Sequence, residues 1–311
     1  MPGPRNAARS LAHAETRLER VGRDRTTGAH GLAVRALRAL SELVAPDRPA
    51  TAGPGRSELR RIAKVLARIQ PAMGIFRQWS REWTDFARRA DERDLGRELR
   101  GWIDRWGQQL RDEPDRLTAV AHRFLPPGAR VLTLSRSSSV RAALSGLPRS
   151  RRPREVLVLE SLPGGEGRLL ARELRTAGVR ARLVPDAEGT ELVRGVDLVL
   201  LGADAVYADG SLVHKVGTRR IAVSARAAGV PVVVLSGRSK WVNARSAPSR
   251  LVGPFDRTPP EAIGEYWTDR GKRRVPRGRR DQAGRDRRRY EEGRLVTRTD
   301  GTAPGRNGRP R

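Results

Sequence analysis

From residue 126 onward the chain alternates between two periodicities, and this alternation limits its fold more than any other feature. "PPGARVLTL", "EVLVLE", "ARLVP", "GVDLVLLGAD" and "VPVVVLSG" carry short continuous apolar runs with the length and Val/Leu content of strands covered on both faces. Between them, "RSSSVRAALSGL", "GEGRLLARELRTAG", "AEGTELVRG" and "GTRRIAVSARAAG" read as helices. Strands alternating with helices imply an α/β fold with a doubly wound parallel sheet. In such a sheet ligands bind beyond the carboxyl ends of the strands, so the strand ends are where chemistry is expected.

The first 125 residues differ in kind. Leu59, Ile62, Val65, Leu66 and Ile69 recur at helical spacing, Pro71 ends that helix, and Ile75, Phe76, Trp79, Trp83 and Phe86 mark a second one. An earlier helix, "GLAVRALRALSELV" (residues 31–44), is set off by the Pro/Gly-rich "APDRPATAGPGR" (residues 45–56). The aromatic spacing predicts helix packed on helix, since a base-stacking platform needs exposed rings on a sheet or loop. The expected organisation is a helical domain at 1–125, a ligand-binding sheet domain at 126–271 and a tail at 272–311.

The formal charge of +28 is carried almost wholly by Arg. It fits a polyanion partner, because basic side chains release counterions from nucleic acid. It fits equally the Arg, Ala, Gly and Pro usage of a GC-biased coding sequence. About half of residues 270–289 are basic and few are apolar, so the tail is expected to be disordered, either solvated or binding nucleic acid. No apolar run approaches the roughly 20 residues of a membrane span, and the Arg-rich start lacks a secretory hydrophobic centre. A cytoplasmic location with no membrane partner is expected.

The chain has no cysteine, which removes disulfides, thiolate metal sites and thiol nucleophiles. Its four histidines, His13, His30, His122 and His214, lack metal-ligand spacing, so no metal is expected. No cofactor is expected either, because the glycines of "ESLPGGEG" do not have the dinucleotide-binding spacing.

Four strand ends carry polar residues. After "VLTL" come Ser135, Arg136, Ser137, Ser138 and Ser139, which open a helix either as ordinary caps or as an anion site. Glu160 ends the second strand, Asp204 follows the fourth, and Lys240 follows "VVVLSG". An acid at the end of a buried strand is costly unless paired, and Lys215 is its nearest basic candidate in sequence. Glu160, Asp204, Lys215 and Lys240 on one sheet edge would suit a small phosphorylated polyol. With no histidine placed beside a nucleophile, acyl transfer has no candidate pair.

At these positions the chain resembles a known family. "GADAVYADGSLVHKVGT" (residues 202–218) resembles the signature G-A-D-x-V-x-x-N-G-x-V-x-N-K-x-G-T. That signature is shared by the alpha, beta and delta regulatory subunits of translation initiation factor 2B and by the isomerases of methylthioribose 1-phosphate and ribose 1,5-bisphosphate. "VLTLSRSSSVRAAL", "LESLPGGEGRLLARELRTAGV", "FDRTPPEAIGEYWTDRG", "TTGAHGLAVRALRAL" and "IQPAMGIF" are similar to further segments of the family, in order, over about residues 20–271. The resemblance implies a helical N-terminal domain, a Rossmann-like C-terminal domain and homodimers built through the latter. It also implies a phosphorylated sugar or nucleotide as ligand, with Gly28, Arg136, Ser137, Glu160, Gly202, Lys215 and Lys240 as ligand-binding residues.

In the isomerases a Cys and the Asp of G-A-D interconvert an aldose phosphate and a ketose phosphate, an intramolecular oxidation and reduction. Asp204 matches the Asp, and Ser135 stands at the Cys position. A hydroxyl lacks the acid-base range of a thiol near neutrality. Thr27 stands where the isomerases carry the Arg of an R-G-A phosphate loop, Leu162 replaces the Arg of their R-P pair, and His214 replaces an Asn. Three readings stay open. The chain is a sugar-phosphate or nucleotide binding relative of the factor subunits without isomerase chemistry, an isomerase that uses Asp204 with another group such as His214, or a nucleic-acid or ribosome-associated protein acting through its tail. His214 itself either faces a pocket or sits in a turn.

Overall fold

The computed structural model describes residues 4–44, 54–89, 94–248, 251 and 253–273. The tail expected at 272–311 lies outside the described residues beyond Arg273, as does most of the segment 45–56.

The helical half follows the apolar spacing of its sequence. Helices α1 (Pro4–Arg23), α2 (Ala29–Ser41), α3 (Arg56–Ile69), α4 (Gly74–Arg89) and the start of α5 (Leu95–Phe124) enclose one core. Leu59, Ile62, Leu66, Phe76, Trp79 and Trp83 are fully buried in it. Trp79 meets Phe76, Trp102 and Trp106 edge-on at 5.9, 5.3 and 5.4 Å between ring centroids. Each such pair adds about 0.5–1.5 kcal/mol beyond burial. The indole N–H groups of Trp102 and Trp106 donate to the Glu82 carboxylate at 2.6 and 3.0 Å. These rings build the core, as their spacing predicts.

The sheet half is α/β and mostly parallel. Strands β1 (Arg130–Leu134), β2 (Glu155–Leu159), β3 (Ala181–Val184), β4 (Leu198–Leu201), β7 (Val232–Leu235), β9 (Glu265–Thr268) and β10 (Gly271–Arg273) lie in the order β10-β9-β7-β4-β1-β2-β3. Only the β9–β10 pair is antiparallel. Val131, Val156, Val158, Leu198, Leu200, Val233 and Leu235 face α5, α6 (Ser138–Ser145) and α7 (Glu166–Thr176). Their neighbours Leu132, Leu157, Leu159, Val199, Leu201, Val232 and Val234 face α9 (Thr218–Ala227) and the segment around α8 (Gly189–Leu192). Both faces are covered, which is why the strands read as continuous apolar runs.

A second, three-stranded antiparallel sheet is formed by β5 (Ala205–Val206), β6 (Leu212–Lys215) and β8 (Phe255–Thr258) in the order β5-β6-β8. No apolar run announces it, because β5 has two residues and β8 reads "FDRT". The 30-residue α5 serves both cores: Leu99, Trp106 and Leu110 pack among the helices, while Leu117 and Ala121 pack on the sheet. Pro114 sits between them, where its ring removes one helical hydrogen bond. Among the described residues no helix is long and apolar enough to cross a membrane.

Candidate functional site

The carboxyl ends of β1 and β4 are joined by a close approach that only glycine permits. Ser135 leaves β1 in the left-handed region at φ 61°, and its N–H donates to Ser161 Oγ at 2.6 Å. Two residues on, Ser137 caps α6 by accepting from the Val140 N–H at 3.3 Å. A Cβ on Gly202, just past β4, would lie 2.1 Å from Ser137 Oγ. Gly202 therefore contributes the space in which the α6 cap sits, and it does not line the cavity beside it.

That cavity, of about 800 Å³, opens between the strand ends and the helical half. Ser135, Arg136, Ser137, Asp204, His214 and Lys215 line it from the sheet side, together with Glu166. The β5–β6 hairpin folds Asp204 against Val213, whose carbonyl accepts the Asp204 N–H at 3.0 Å. The hairpin sets His214 Nδ1 2.9 Å from Asp204 Oδ2. Asp204 thus pairs with His214 and not with Lys215, which is turned to Glu166 at the first position of α7. Asp204 and His214 are 9% and 4% exposed, and His214 Nε2 has no hydrogen-bond partner. The histidine that the sequence leaves unplaced is a carboxylate-bound imidazole in the cavity wall. Arg136 also lines the cavity, but Glu173 holds its guanidinium through contacts of 2.6 and 3.1 Å and favours its charged form.

The opposite wall is the loop between α1 and α2 and the end of α3. Asp24 accepts from the N–H groups of Thr26 and Thr27 at 2.8 and 2.9 Å and from both hydroxyls. Burial alone would raise its carboxyl, but these bonds outweigh burial and hold it well below the usual carboxylate range. Gln70 Nε2 ties the same loop to α3, donating to the carbonyls of Val21, Gly22 and Asp24 at 3.0–3.3 Å. The pinned loop presents Arg25, Thr27 and Gly28 to the cavity, and α3 adds Arg68. Gly28 lies against the Arg136 carbonyl, 3.3 Å from where its Cβ would be, so the two walls meet there.

Two expected ligand contacts lie off the wall. Glu160 is held by Arg168 in the first turn of α7 at 3.0 Å and does not line the cavity. Lys240 is 1% exposed and does not line the cavity. Its burial pushes the ammonium down, against the upward pull of the Glu113 and Asp204 charges. Sequence reasoning missed Asp24, Arg25, Arg68, Gln70 and Glu166. Glu166 alone left a signal, an acid in the first turn of a helix. Among the described residues no group of three or more His, Asp or Glu side chains is placed to hold a metal ion.

The arrangement offers an acid-base pair, hydroxyls and a capped helix N-terminus to a small polar anion. Known proteins share its frame. A ribose 1,5-bisphosphate isomerase of Haloferax volcanii is 27% identical over 270 residues, spanning 78% of this chain and 83% of the relative. Translation initiation factor eIF2B subunit alpha of Dictyostelium discoideum is 28% identical over 43% of each chain. The crystal structure of a Pyrococcus horikoshii translation initiation factor eIF-2B superposes with a TM-score of 0.70 at 21% identity, covering 88% of this chain and 99% of the other. That of 5-methylthioribose 1-phosphate isomerase from the same organism gives 0.64 at 18% identity, covering 88% of each. The sequence model of the initiation factor 2 subunit family matches residues 25–254, most of the length over which this fold and cavity are built, and the chain belongs to that family.

Proposed function

We propose that the cavity binds a phosphorylated sugar and interconverts its aldose and ketose forms through Asp204 and His214. The observation that carries this reading is the 2.9 Å contact between His214 Nδ1 and Asp204 Oδ2, with Nε2 unpartnered in the cavity wall. With the Nδ1 proton facing the carboxylate, Nε2 carries the free lone pair and is placed to accept a proton. It takes the proton from C2 and returns it to C1; in a sugar phosphorylated at O1 the bond from C1 to the ring oxygen breaks, the ring oxygen takes up the proton that the C2 hydroxyl gives up, and C2 becomes the ketone. Ser135 and Ser137 offer hydroxyls to the substrate, and the N–H groups that open α6 suit a phosphate. The named activities of the Haloferax and Pyrococcus isomerases, both on phosphorylated sugars, support the substrate class.

A second reading, binding without turnover, has its own support: Ser135 carries no thiol, and Arg136 and Lys215 are already neutralised by Glu173 and Glu166. The test is a thermal-shift screen against ribose 1,5-bisphosphate, pentose monophosphates and nucleoside monophosphates, followed by an isomerase assay on each hit. A hit that turns over supports the first reading. A hit without turnover supports the second, and no hit counts against both.

We also infer a homodimer through the sheet half. Among the described residues Leu162, Val216 and Val223 are the exposed large apolar side chains, and all three border one groove of about 700 Å³. Val223→Asp should convert a dimer to a monomer in analytical ultracentrifugation, and a monomeric unaltered chain would overturn the inference. The tail reading is tested by removing residues 272–311, which should lower nucleic-acid affinity and its salt slope if the tail binds.

A further inference from the structure

The edge of the sheet opposite the cavity is basic beyond what its own packing requires. Helices that join parallel strands return to the amino edge of the sheet, and α5, α6 and α7 end there, each leading into the next strand. Their last carbonyls carry partial negative charge. Two arginines of the loop "PRSRRPRE" (residues 148–155) meet that charge. Arg151 donates to the carbonyls of His122 and Leu125, and Arg152 to those of Leu147 and Gly178 at 3.1 and 2.8 Å. Closing the helix ends thus accounts for Arg151 and Arg152. It does not account for Arg123, Arg149, Arg154 and Arg180, which are exposed and make no ion pair among the described residues. The acids of this edge are otherwise engaged: Glu155 is held by Arg130 and Arg182 at 2.8 and 3.3 Å, and Asp197 accepts the Arg130 N–H at 2.6 Å.

Backbone hydrogen bonds gather these arginines on one surface. The Arg152 carbonyl accepts from the Gly128 N–H at 3.1 Å, the Arg154 N–H donates to the Ala129 carbonyl at 3.1 Å, and the Arg180 carbonyl accepts from the Val156 N–H at 2.8 Å. The segments that precede β1, β2 and β3 are therefore neighbours. β10 runs antiparallel to β9, which brings Arg273 back to the same edge, and Lys272 Nζ lies 4.5 Å from the ring centroid of Phe124, the residue after Arg123. The cavity lies at the far end of the five-residue strands β1 and β2, roughly 16 Å away.

Unpaired guanidiniums gathered together repel one another and add nothing to stability. A polyanion converts the same field into affinity, because each phosphate that meets a guanidinium releases counterions. Among the described residues no aromatic side chain is exposed, so this edge has no ring on which an unpaired base could stack. We propose that the amino edge of the sheet, through Arg123, Arg149, Arg154 and Arg180, is a docking surface for the phosphate backbone of a nucleic-acid duplex, bound without regard to sequence. The inference rests on the folded surface alone, so the isomerase reading and the tail reading can each fail while this one holds.

The experiment is a salt titration of full-chain binding to a short, fluorophore-labelled DNA duplex of mixed sequence, read by anisotropy. For the unaltered chain the logarithm of the association constant should fall linearly with that of the salt concentration. Combining Arg149→Ala, Arg154→Ala and Arg180→Ala should reduce the slope by about 2–3, at about 0.9 per phosphate contact, and weaken binding about tenfold or more at about 0.1 M salt. The control combines Arg88→Ala, Arg97→Ala and Arg116→Ala, arginines that Asp85, Asp94 and Asp112 already hold, and it should bind almost as the unaltered chain does. Combining Arg149→Lys, Arg154→Lys and Arg180→Lys keeps the charge and should keep the slope. An unchanged slope in the alanine variant, an equal loss in the control or a lost slope in the lysine variant overturns the proposal. So does tighter binding of the separated single strands, or equal displacement of the duplex by polyglutamate, which would assign the surface to an acidic protein. Hydrogen exchange on the unaltered protein needs no variant to fold: the duplex should slow exchange in residues 146–154 and leave residues 135–139 at the cavity unchanged, and the reverse pattern overturns the proposal.

Discussion

The two walls of the cavity treat charge differently. On the sheet side the ionisable groups are paired: Asp204 with His214, Lys215 with Glu166, Arg136 with Glu173. On the helical side Arg23 is paired with Glu19 and Asp24 with Arg35, but Arg25 and Arg68 donate only to backbone carbonyls and have no carboxylate partner among the described residues. A cation already neutralised by a carboxylate contributes little field to an incoming anion, whereas an unneutralised guanidinium contributes most of its charge. On the function proposed above, the sheet wall moves protons and the helical wall attracts phosphate.

The largest expected effect comes from breaking the sheet wall. Asp204→Asn removes the partner that orients His214, and turnover in a coupled isomerase assay should fall by about 10²–10⁴-fold. Ligand affinity should change far less, and unchanged turnover would sink the proton-transfer role. Breaking the helical wall should do the reverse. Arg25→Ala and Arg68→Ala should each weaken binding of a phosphorylated sugar about tenfold, near 1.4 kcal/mol, in titration calorimetry. An unphosphorylated pentose serves as control, and equal losses for both ligands would refute the division of labour.

Smaller effects sharpen the comparison. Gly202→Ala places a methyl 2.1 Å from Ser137 Oγ, and chemical denaturation should show a loss of about 1–3 kcal/mol from overpacking. Asp24→Asn should lower stability by an amount that depends on pH. The folded carboxyl lies below its unfolded value near 4, so its contribution is present above that pH and lost as pH falls through the folded value. The stability difference between the unaltered chain and Asp24→Asn should therefore be full near pH 6 and shrink in acid. A constant difference would mean that the Asp24 charge does not pin the loop.

Much of the fold was legible because burial on both faces writes itself into a strand. "EVLVLE" and "DLVLLGAD" admit few other readings, and each became a central strand. The small sheet was not legible. The pairing of His214 with Asp256 and of Lys215 with Phe255 leaves no local period in four-residue strands. Site residues divide in the same way. Ser135 and Asp204 are marked by following apolar runs, whereas Arg25 and Arg68 sit in ordinary polar stretches and become wall residues only because Gln70 draws their segments together.

By itself, the sequence determined the helical first half and the parallel sheet, because period and apolar content are local properties. Only the tertiary structure decided which charges meet. Hairpin register gives Asp204 to His214, Glu166 and Arg168 in the first turn of α7 take Lys215 and Glu160 respectively, and the glycine gap at residue 237 admits the Glu113 carboxyl. Pairing depends on distances of a few ångströms between segments remote in sequence, and Coulomb energy changes steeply over such distances while composition does not change at all.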